Sequence, residues 1–248
     1  MAGTAVLGRL TWRPARVAEV IAETERVNTL VLDVAGWPGH RAGQHVDIRL
    51  TADDGYRAQR SYSIASAPDD PGLAITVERI DDGEVSPYLA GEARAGDEFE
   101  LRGPIGGYFV WDVGAGGPLL LVAGGSGVVP LMAMIRHWRR EGSDLPVRLL
   151  YSSRSLDDVI YRQELDALDG AGIEVVHTLT RSQPPGWTGY NRRIDAALLA
   201  EVAFPTAERP LAFVCGPTRL VEGASRALGA LGYEPARIKT ERFGPTGG

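Results

Sequence analysis

The 248-residue sequence predicts a six-stranded antiparallel Greek-key β-barrel followed by an α/β domain on a five-stranded parallel sheet. Three observations carry that reading. Short β-branched runs separated by reversal signals fill the first hundred or so residues, and apolar strand runs then alternate with helical patterns. The change of rhythm falls on a glycine cluster, Gly114-Ala115-Gly116-Gly117, expected to form a flexible link. The expected domains are therefore residues 1–114 and 115–248.

In the first half the strand runs are Arg16–Glu23, Thr29–Val34, His45–Leu50, Arg60–Ile64, Leu73–Ile80 and Glu98–Arg102. Trp37-Pro38-Gly39, Asp53-Asp54-Gly55, Pro68–Gly72 and Asp81-Asp82-Gly83 supply the reversals between them. One short helix is expected near Ser86–Glu92, covering an end of the barrel. In the second half strands at Leu119–Ala123, Val147–Tyr151, Ile173–Leu179, Leu211–Cys215 and Ile238-Lys239 alternate with helices from Pro130, Ser155, Asp195 and Pro217. Pro130 suits a first helical position, and Ser155 with Asp158 three residues on approximates a capping box.

Composition excludes several classes. The net charge of −6 and the lack of a long basic run argue against nucleic-acid binding. No apolar run is long enough to span a bilayer, and the first residues lack the apolar core of a secretory signal, so a soluble cytoplasmic protein is expected. A single cysteine, Cys215, rules out an internal disulfide or a cysteine-ligated iron-sulfur cluster. None of His40, His45, His137 and His177 stands in a metal-ligand pattern, and no metal site is expected.

The stretch of greatest interest runs from Pro118 to Arg140. A doubly buried strand, the loop Gly124-Gly125-Ser126-Gly127 and a helix opening at Val128-Val129-Pro130 together offer backbone N–H groups and a helix dipole to an anion. A pyrophosphate is the natural occupant, although a tight strand-to-helix connection without ligand uses the same residues. Proline stands where the common dinucleotide fingerprint has its third glycine. In the barrel half, Arg60 and Tyr62 share one face of a strand, while Ser61 and Ser63 share the other. An arginine fork beside an aromatic plate suits a flavin nucleotide, and equally suits a plain surface strand. Gly83–Tyr88 opens a turn with N–H groups free for an anion, and Gly103–Phe109 is a glycine-rich bend.

Taken together and in order, Arg60-Ser61-Tyr62-Ser63, Gly83–Tyr88, Gly96-Asp97 with Gly103-Pro104-Ile105-Gly106, Gly124–Pro130 and Cys215-Gly216-Pro217 resemble the ferredoxin-NADP reductase superfamily. The resemblance implies that Arg60, Ser61, Tyr62 and Ser63 hold a flavin, with Arg60 on a phosphate, Tyr62 against the ring and Ser63 near N5. It implies a pyrophosphate of FAD at Gly83, Val85 and Ser86. A nicotinamide dinucleotide is implied at Gly124, Gly125, Ser126, Gly127, Val128 and Pro130, and further along at Cys215, Gly216, Pro217 and Thr218. Ser63, Cys215 and Glu241 become the candidate catalytic residues, Cys215 beside the nicotinamide, and Phe243 a candidate aromatic near the flavin.

Ser153-Arg154 and Thr180-Arg181 follow the second and third strands of the α/β half and present arginine without acid. That charge favours the 2'-phosphate of NADPH, with Arg181 as its reader, and leaves NADH as the alternative. The resemblance implies an FAD-dependent oxidoreductase, with hydride passing from NADPH to flavin and electrons then passing to a separate acceptor protein. A ferredoxin-type protein, an oxygenase or a molybdenum oxidoreductase is the expected kind of acceptor, since one cysteine leaves no room for a fused plant-type ferredoxin. Arg136, Arg139 and Arg140 on one helix are candidate docking charges. A reductase of free flavin and a non-catalytic nucleotide-binding module are the alternatives; the sequence leaves the oligomeric state open, and a monomer is compatible with it.

Overall fold

A computed structural model describes residues 10–243. Residues 1–9 and 244–248 lie outside them.

Strands β1 (Arg13–Thr24), β2 (Val27–Asp33), β3 (His45–Thr51), β4 (Arg57–Ser63), β5 (Leu73–Glu78) and β6 (Glu98–Ile105) form one antiparallel sheet in the order β4-β3-β6-β1-β2-β5. The last strand in sequence inserts between the first and the third, which is the Greek-key crossover. An isolated antiparallel bridge between Ile64 and Ile75 joins the β4 and β5 edges and closes the barrel. Leu30, Leu32, Val46, Ile48 and Leu101 fill its interior. A single π-turn, Tyr88–Glu92, follows Ser86-Pro87 and buries Leu89 and Ala90 against it.

The second sheet is wholly parallel, in the order β11-β10-β7-β8-β9, from β7 (Leu119–Gly124), β8 (Val147–Ser153), β9 (Ile173–Leu179), β10 (Leu211–Pro217) and β11 (Ile238–Phe243). Helices α1 (Val128–Arg140), α2 (Arg162–Leu168), α3 (Ala196–Val202) and α4 (Thr218–Ala230) cover it. Every residue of β7 is buried, because alternate side chains enter two different cores. Leu119, Leu121 and Ala123 pack with α1 on the barrel side, while Leu120 and Val122 pack with α3 and α4. The strand order reverses beside β7, so the carboxyl ends of β7, β8 and β10 open a crevice there.

Barrel and sheet share a core. Phe109 meets Phe213 edge-on at 5.1 Å between centroids, and Trp111 and Ala65 join the same buried cluster as α1. Arg136 of α1 donates to the Ala65 carbonyl at 2.6 Å and pairs with Glu164 at 2.5 Å. Arg140 of the same helix pairs with Asp70 of the barrel. Two of the three charges read as a docking face therefore serve the seam, although Arg140 stays exposed like Arg139. Among the described residues no helix is long and apolar enough to cross a membrane.

Local details depart from expectation in three places. Helix α1 begins at Val128, so Pro130 is its third residue; the first four N–H groups of a helix lack partners anyway, and proline is tolerated. The Ser155 hydroxyl does reach Asp158, at 2.5 Å, but closes a loop turn; α2 begins at Arg162. The glycine link is held rather than free. It contains a 3₁₀ turn, Val113–Ala115, with the Gly114 N–H on the Asp112 carboxylate at 2.9 Å and Arg237 on the Gly116 carbonyl at 2.7 Å.

Candidate active site

Two cavities of about 320 Å³ each lie along the seam, and Ser126 and Phe243 border both. The first occupies the crevice of the parallel sheet. Gly124, Gly125 and Ser126 line it from the end of β7, Ser152, Ser153 and Arg154 from β8, Thr180 from β9, and Pro217 from β10. The barrel closes the other side with Thr24, Arg26 and Val27 from the β1–β2 turn, and Glu78 from β5.

The glycine loop has two different reasons for its glycines. Gly125 sits at φ +54 with open space where a Cβ would stand. Gly127 is pressed onto the next crossover, where a Cβ would fall 2.2 Å from the Cys215 carbonyl oxygen. One glycine leaves room for a ligand, the other lets two backbones touch. Gly127, Val128 and Pro130 are fully covered by protein and reach the cleft only by setting the loop and the helix start. Gly216 follows Cys215 at φ +145 against the backbone of Gly124. Thr218 opens α4 outside the cleft lining.

A dinucleotide fits the polar groups left over. The Ser153 hydroxyl is buried at the cleft without a protein partner. Arg154 lines the cleft but is bound to Asp158 at 2.7 Å, and Asp158 lines it too. Burial works against ionisation of Asp158, yet Ser155 and Arg154 hold its carboxyl below the usual range. An acid is thus present at the ligand edge, supplied by the loop after β8 rather than by a strand end. Arg181 is exposed and lies off the lining, while its neighbour Thr180 is on it.

The second cavity lies on the barrel. Arg60, Ser61, Tyr62 and Ser63 form one wall, Thr76, Glu78 and Ile80 another, and Gly83, Glu84, Val85 and Ser86 a third. The α/β half contributes Ser126, Val129, Arg242 and Phe243. Tyr62 is part-buried, and that burial pushes its phenol well above the ordinary range. The Ser61 hydroxyl turns away and donates to Asp47 at 2.6 Å, while Ser63 is buried at the cavity. Arg60 holds an anion at the cavity wall, the Glu84 carboxylate at 2.7 Å, which also accepts from the Tyr56 hydroxyl. A phosphate would compete for that guanidinium. The Ser86 hydroxyl accepts from the Ile80 N–H at 3.1 Å, and Val85 and Ser86 line the cavity just ahead of the π-turn.

Between the cavities β10 and β11 place Cys215 opposite Glu241 and Pro217 opposite Phe243. The Cys215 thiol lies 3.9 Å from the Glu241 carboxyl; the cysteine is buried, Glu241 is part-buried, and neither lines either cavity. Burial and the neighbouring carboxyl raise the thiol well above its ordinary pKa, and burial raises Glu241 to about 7. Phe243, two residues further along β11, is the part-buried cover that separates the cavities.

Asp158, Ile160, Glu78, Thr76 and the hairpin residues Thr24, Arg26 and Val27 escaped the sequence reading. Only Asp158 had a local signal, its spacing from Ser155. The others arrive by tertiary contact. Asp69 with His137 and Glu141 is also unforeseen: ligand-type atoms of all three lie within 4.8 Å of one another on the outer face of the seam. His137 and Glu141 are four apart on α1, a helical pairing that the sequence carries openly.

Residues 16–110 match the family described as oxidoreductase FAD-binding domain, and residues 121–226 match the oxidoreductase NAD-binding domain. The chain is 35% identical over 209 residues to ferredoxin-NADP reductase B of Sorangium cellulosum, covering 82% of this chain and 84% of that protein. It is 31% identical over 242 residues to the glycine betaine monooxygenase reductase subunit of Pseudomonas aeruginosa, covering 93% of this chain and 64% of the relative. The chain thus spans just under two thirds of the length of that reductase subunit. Among solved structures, the FAD/NAD binding domain of nitric oxide dioxygenase from Vibrio cholerae superposes with a TM-score of 0.83 at 26% identity, covering 94% of this chain and 99% of that one.

Proposed function

The chain belongs to the ferredoxin-NADP reductase superfamily, with its FAD-binding and NAD(P)-binding domains, and from that premise we propose that it draws electrons from a nicotinamide coenzyme and delivers them to a separate acceptor protein. The observation that carries this reading is the meeting of two cavities of about 320 Å³ at Ser126 and Phe243, one on each domain. A hydride donor and acceptor must lie in contact, and a shared wall of three residues, Glu78, Ser126 and Phe243, allows it.

FAD suits the barrel cavity: a phosphate of FAD would displace the Glu84 carboxylate from Arg60, the Val85 and Ser86 N–H groups would take the pyrophosphate, and Tyr62 would pack on the ring. When bound, the flavin supplies the change from paired to single electrons that a one-electron acceptor needs. Gly125, Ser126 and the unpartnered Ser153 hydroxyl would hold the dinucleotide. Phe243 would have to swing aside for the nicotinamide to reach the flavin. Cys215 and Glu241, which line neither cavity, would then meet the ring, with Glu241 able to hold or release a proton near pH 7. Ser63 would present its hydroxyl to the flavin edge.

NADPH is the preferred donor on this reading, since Arg154 and Arg26 both line the coenzyme cleft. Asp158 opposes that preference by holding Arg154. On this reading the boundary at residues 114–115 divides the two tasks, and a cytoplasmic location, where nicotinamide coenzymes are at hand, suits the reaction. The named roles of relatives in monooxygenase and ferredoxin systems support an oxygenase or ferredoxin-type acceptor. Reconstitution with FAD, followed by turnover of NADPH with a plant-type ferredoxin and, separately, with free riboflavin, tests it. Reduction of the ferredoxin with bound flavin retained is expected; turnover of free riboflavin alone would replace the proposal with flavin reduction.

A further inference from the structure

The loop from Arg154 to Tyr161 joins the coenzyme cleft to the barrel in a way its local sequence does not explain. Arg154, Asp158 and Ile160 line the cleft, and Tyr161 ends the loop as the residue before α2. Tyr161 stands at φ +59, ψ +29, a region bulky L side chains seldom adopt, and it makes no capping bond to the helix it precedes. Only tertiary contacts can repay such a conformation.

Those contacts come from the barrel and from α1. The side chain is 3% exposed, and the Arg136 guanidinium lies 4.7 Å from its ring centroid. Its hydroxyl bonds Thr76 Oγ1 on β5; Thr76 bonds Thr29 Oγ1 at 2.7 Å, and Thr29 donates to Glu23 Oε1 at 2.7 Å. Each hydroxyl has one proton, and the chain ends on a carboxylate that only accepts. The donors therefore run in one direction, Tyr161 to Thr76 to Thr29 to Glu23. Burial keeps the phenol protonated, raising it to about 12. Thr76 in turn lines the barrel cavity.

We propose that the Tyr161 hydroxyl is a positioning group that pins the coenzyme loop to the flavin-side wall of β5 and so sets the approach between the two bound rings. This rests on the reading of the two cavities given above. Tyr161→Phe is the sharpest perturbation, because it keeps the ring, its burial and the Arg136 contact and removes only the donor. Thr76→Val removes the acceptor, and with it the donor to Thr29, with little change of shape.

The experiment has two arms. In the protein without flavin, amide hydrogen exchange is followed in segments 73–78 and 154–161, and both variants are expected to speed exchange in both segments together. In the FAD-loaded protein, flavin reduction is followed with protiated and 4-deuterated coenzyme. Tyr161→Phe is expected to slow reduction about tenfold and change the isotope effect, while coenzyme affinity stays within about twofold. The double variant is expected to be no worse than Thr76→Val alone, since that variant already removes the Tyr161–Thr76 bond together with the Thr76–Thr29 bond. Unchanged exchange with unchanged reduction, or additive losses in the double variant, would overturn the proposal. If the unaltered protein binds FAD and neither coenzyme reduces it, the functional reading fails, and the exchange arm still decides whether Tyr161 pins the loop.

Discussion

Gly125 and Gly127 sit two residues apart and look alike in sequence, yet replacement of each by alanine should fail for a different reason. At Gly127 an added Cβ falls 2.2 Å from the Cys215 carbonyl oxygen, 2.5 Å from its carbon and 2.7 Å from the Gly216 Cα. All three atoms are backbone, so no side-chain rotation relieves the clash; the loop or β10 must shift by about 1 Å. Overpacking of that kind costs about 3 kcal/mol, the upper end of its usual range. With a urea dependence of about 2 kcal/mol per molar, the unfolding midpoint falls by about 1.5 M. At Gly125 the space is open and only the left-handed backbone, φ +54, resists a side chain. That costs about 1 to 2 kcal/mol and lowers the midpoint by less than about 1 M. Its Cβ, however, projects where a pyrophosphate would meet the loop, and coenzyme affinity should fall about tenfold or more. Urea unfolding and coenzyme titration of the two variants separate packing from binding. A Gly127→Ala protein as stable as the parent, or a Gly125→Ala protein that binds coenzyme normally, would refute the division of roles.

Three further outcomes follow from the site. Arg60→Ala should weaken FAD binding about 10- to 150-fold by equilibrium titration, the loss of one charged hydrogen-bonding partner of a phosphate, whereas Glu84→Gln should tighten it by freeing Arg60. Asp158→Asn should shift the ratio of kcat/KM values toward NADPH, and Arg154→Glu should shift it toward NADH; Arg181→Glu, off the cleft lining, should move it less than either. Burial raises the Glu241 pKa from its ordinary 4.5 to about 7, so the folded state favours the protonated acid. Its stabilising contribution is full below about pH 4.5 and is lost as pH rises through about 7. Relative to the parent, Glu241→Gln should therefore become more stable with rising pH, by up to about 3 kcal/mol at pH 8, and parallel thermal-unfolding profiles would contradict it.

Most of the fold was legible because its signals are local. The doubly buried β7 shows as five apolar residues between a proline and glycines, and the barrel strands show as short alternating runs between reversal signals. Strand bounds were less so, because ladder partners rather than residue preference extend β1 back to Arg13 and β6 on to Ile105. The cavity walls were legible where one motif supplies several neighbours, as at Arg60–Ser63 and Gly83–Ser86. They were not legible where separate elements converge. Arg26 reaches the coenzyme cleft from a barrel hairpin, and Glu78 stands between the two cavities at the end of an otherwise buried strand. The Ser155–Asp158 spacing reads as a capping box, whereas the left-handed Tyr161 that delays the helix to Arg162 obeys a contact with Thr76, 85 residues away in sequence.

The central claim is that two cavities sharing Ser126 and Phe243 bring a coenzyme against a flavin. An anaerobic absorbance titration of the FAD-reconstituted protein with NADPH, and separately with NADH, tests it most directly. The account predicts a bound flavin spectrum that bleaches with both coenzymes and faster with NADPH. A protein that binds FAD and both coenzymes yet leaves the flavin oxidised would contradict it.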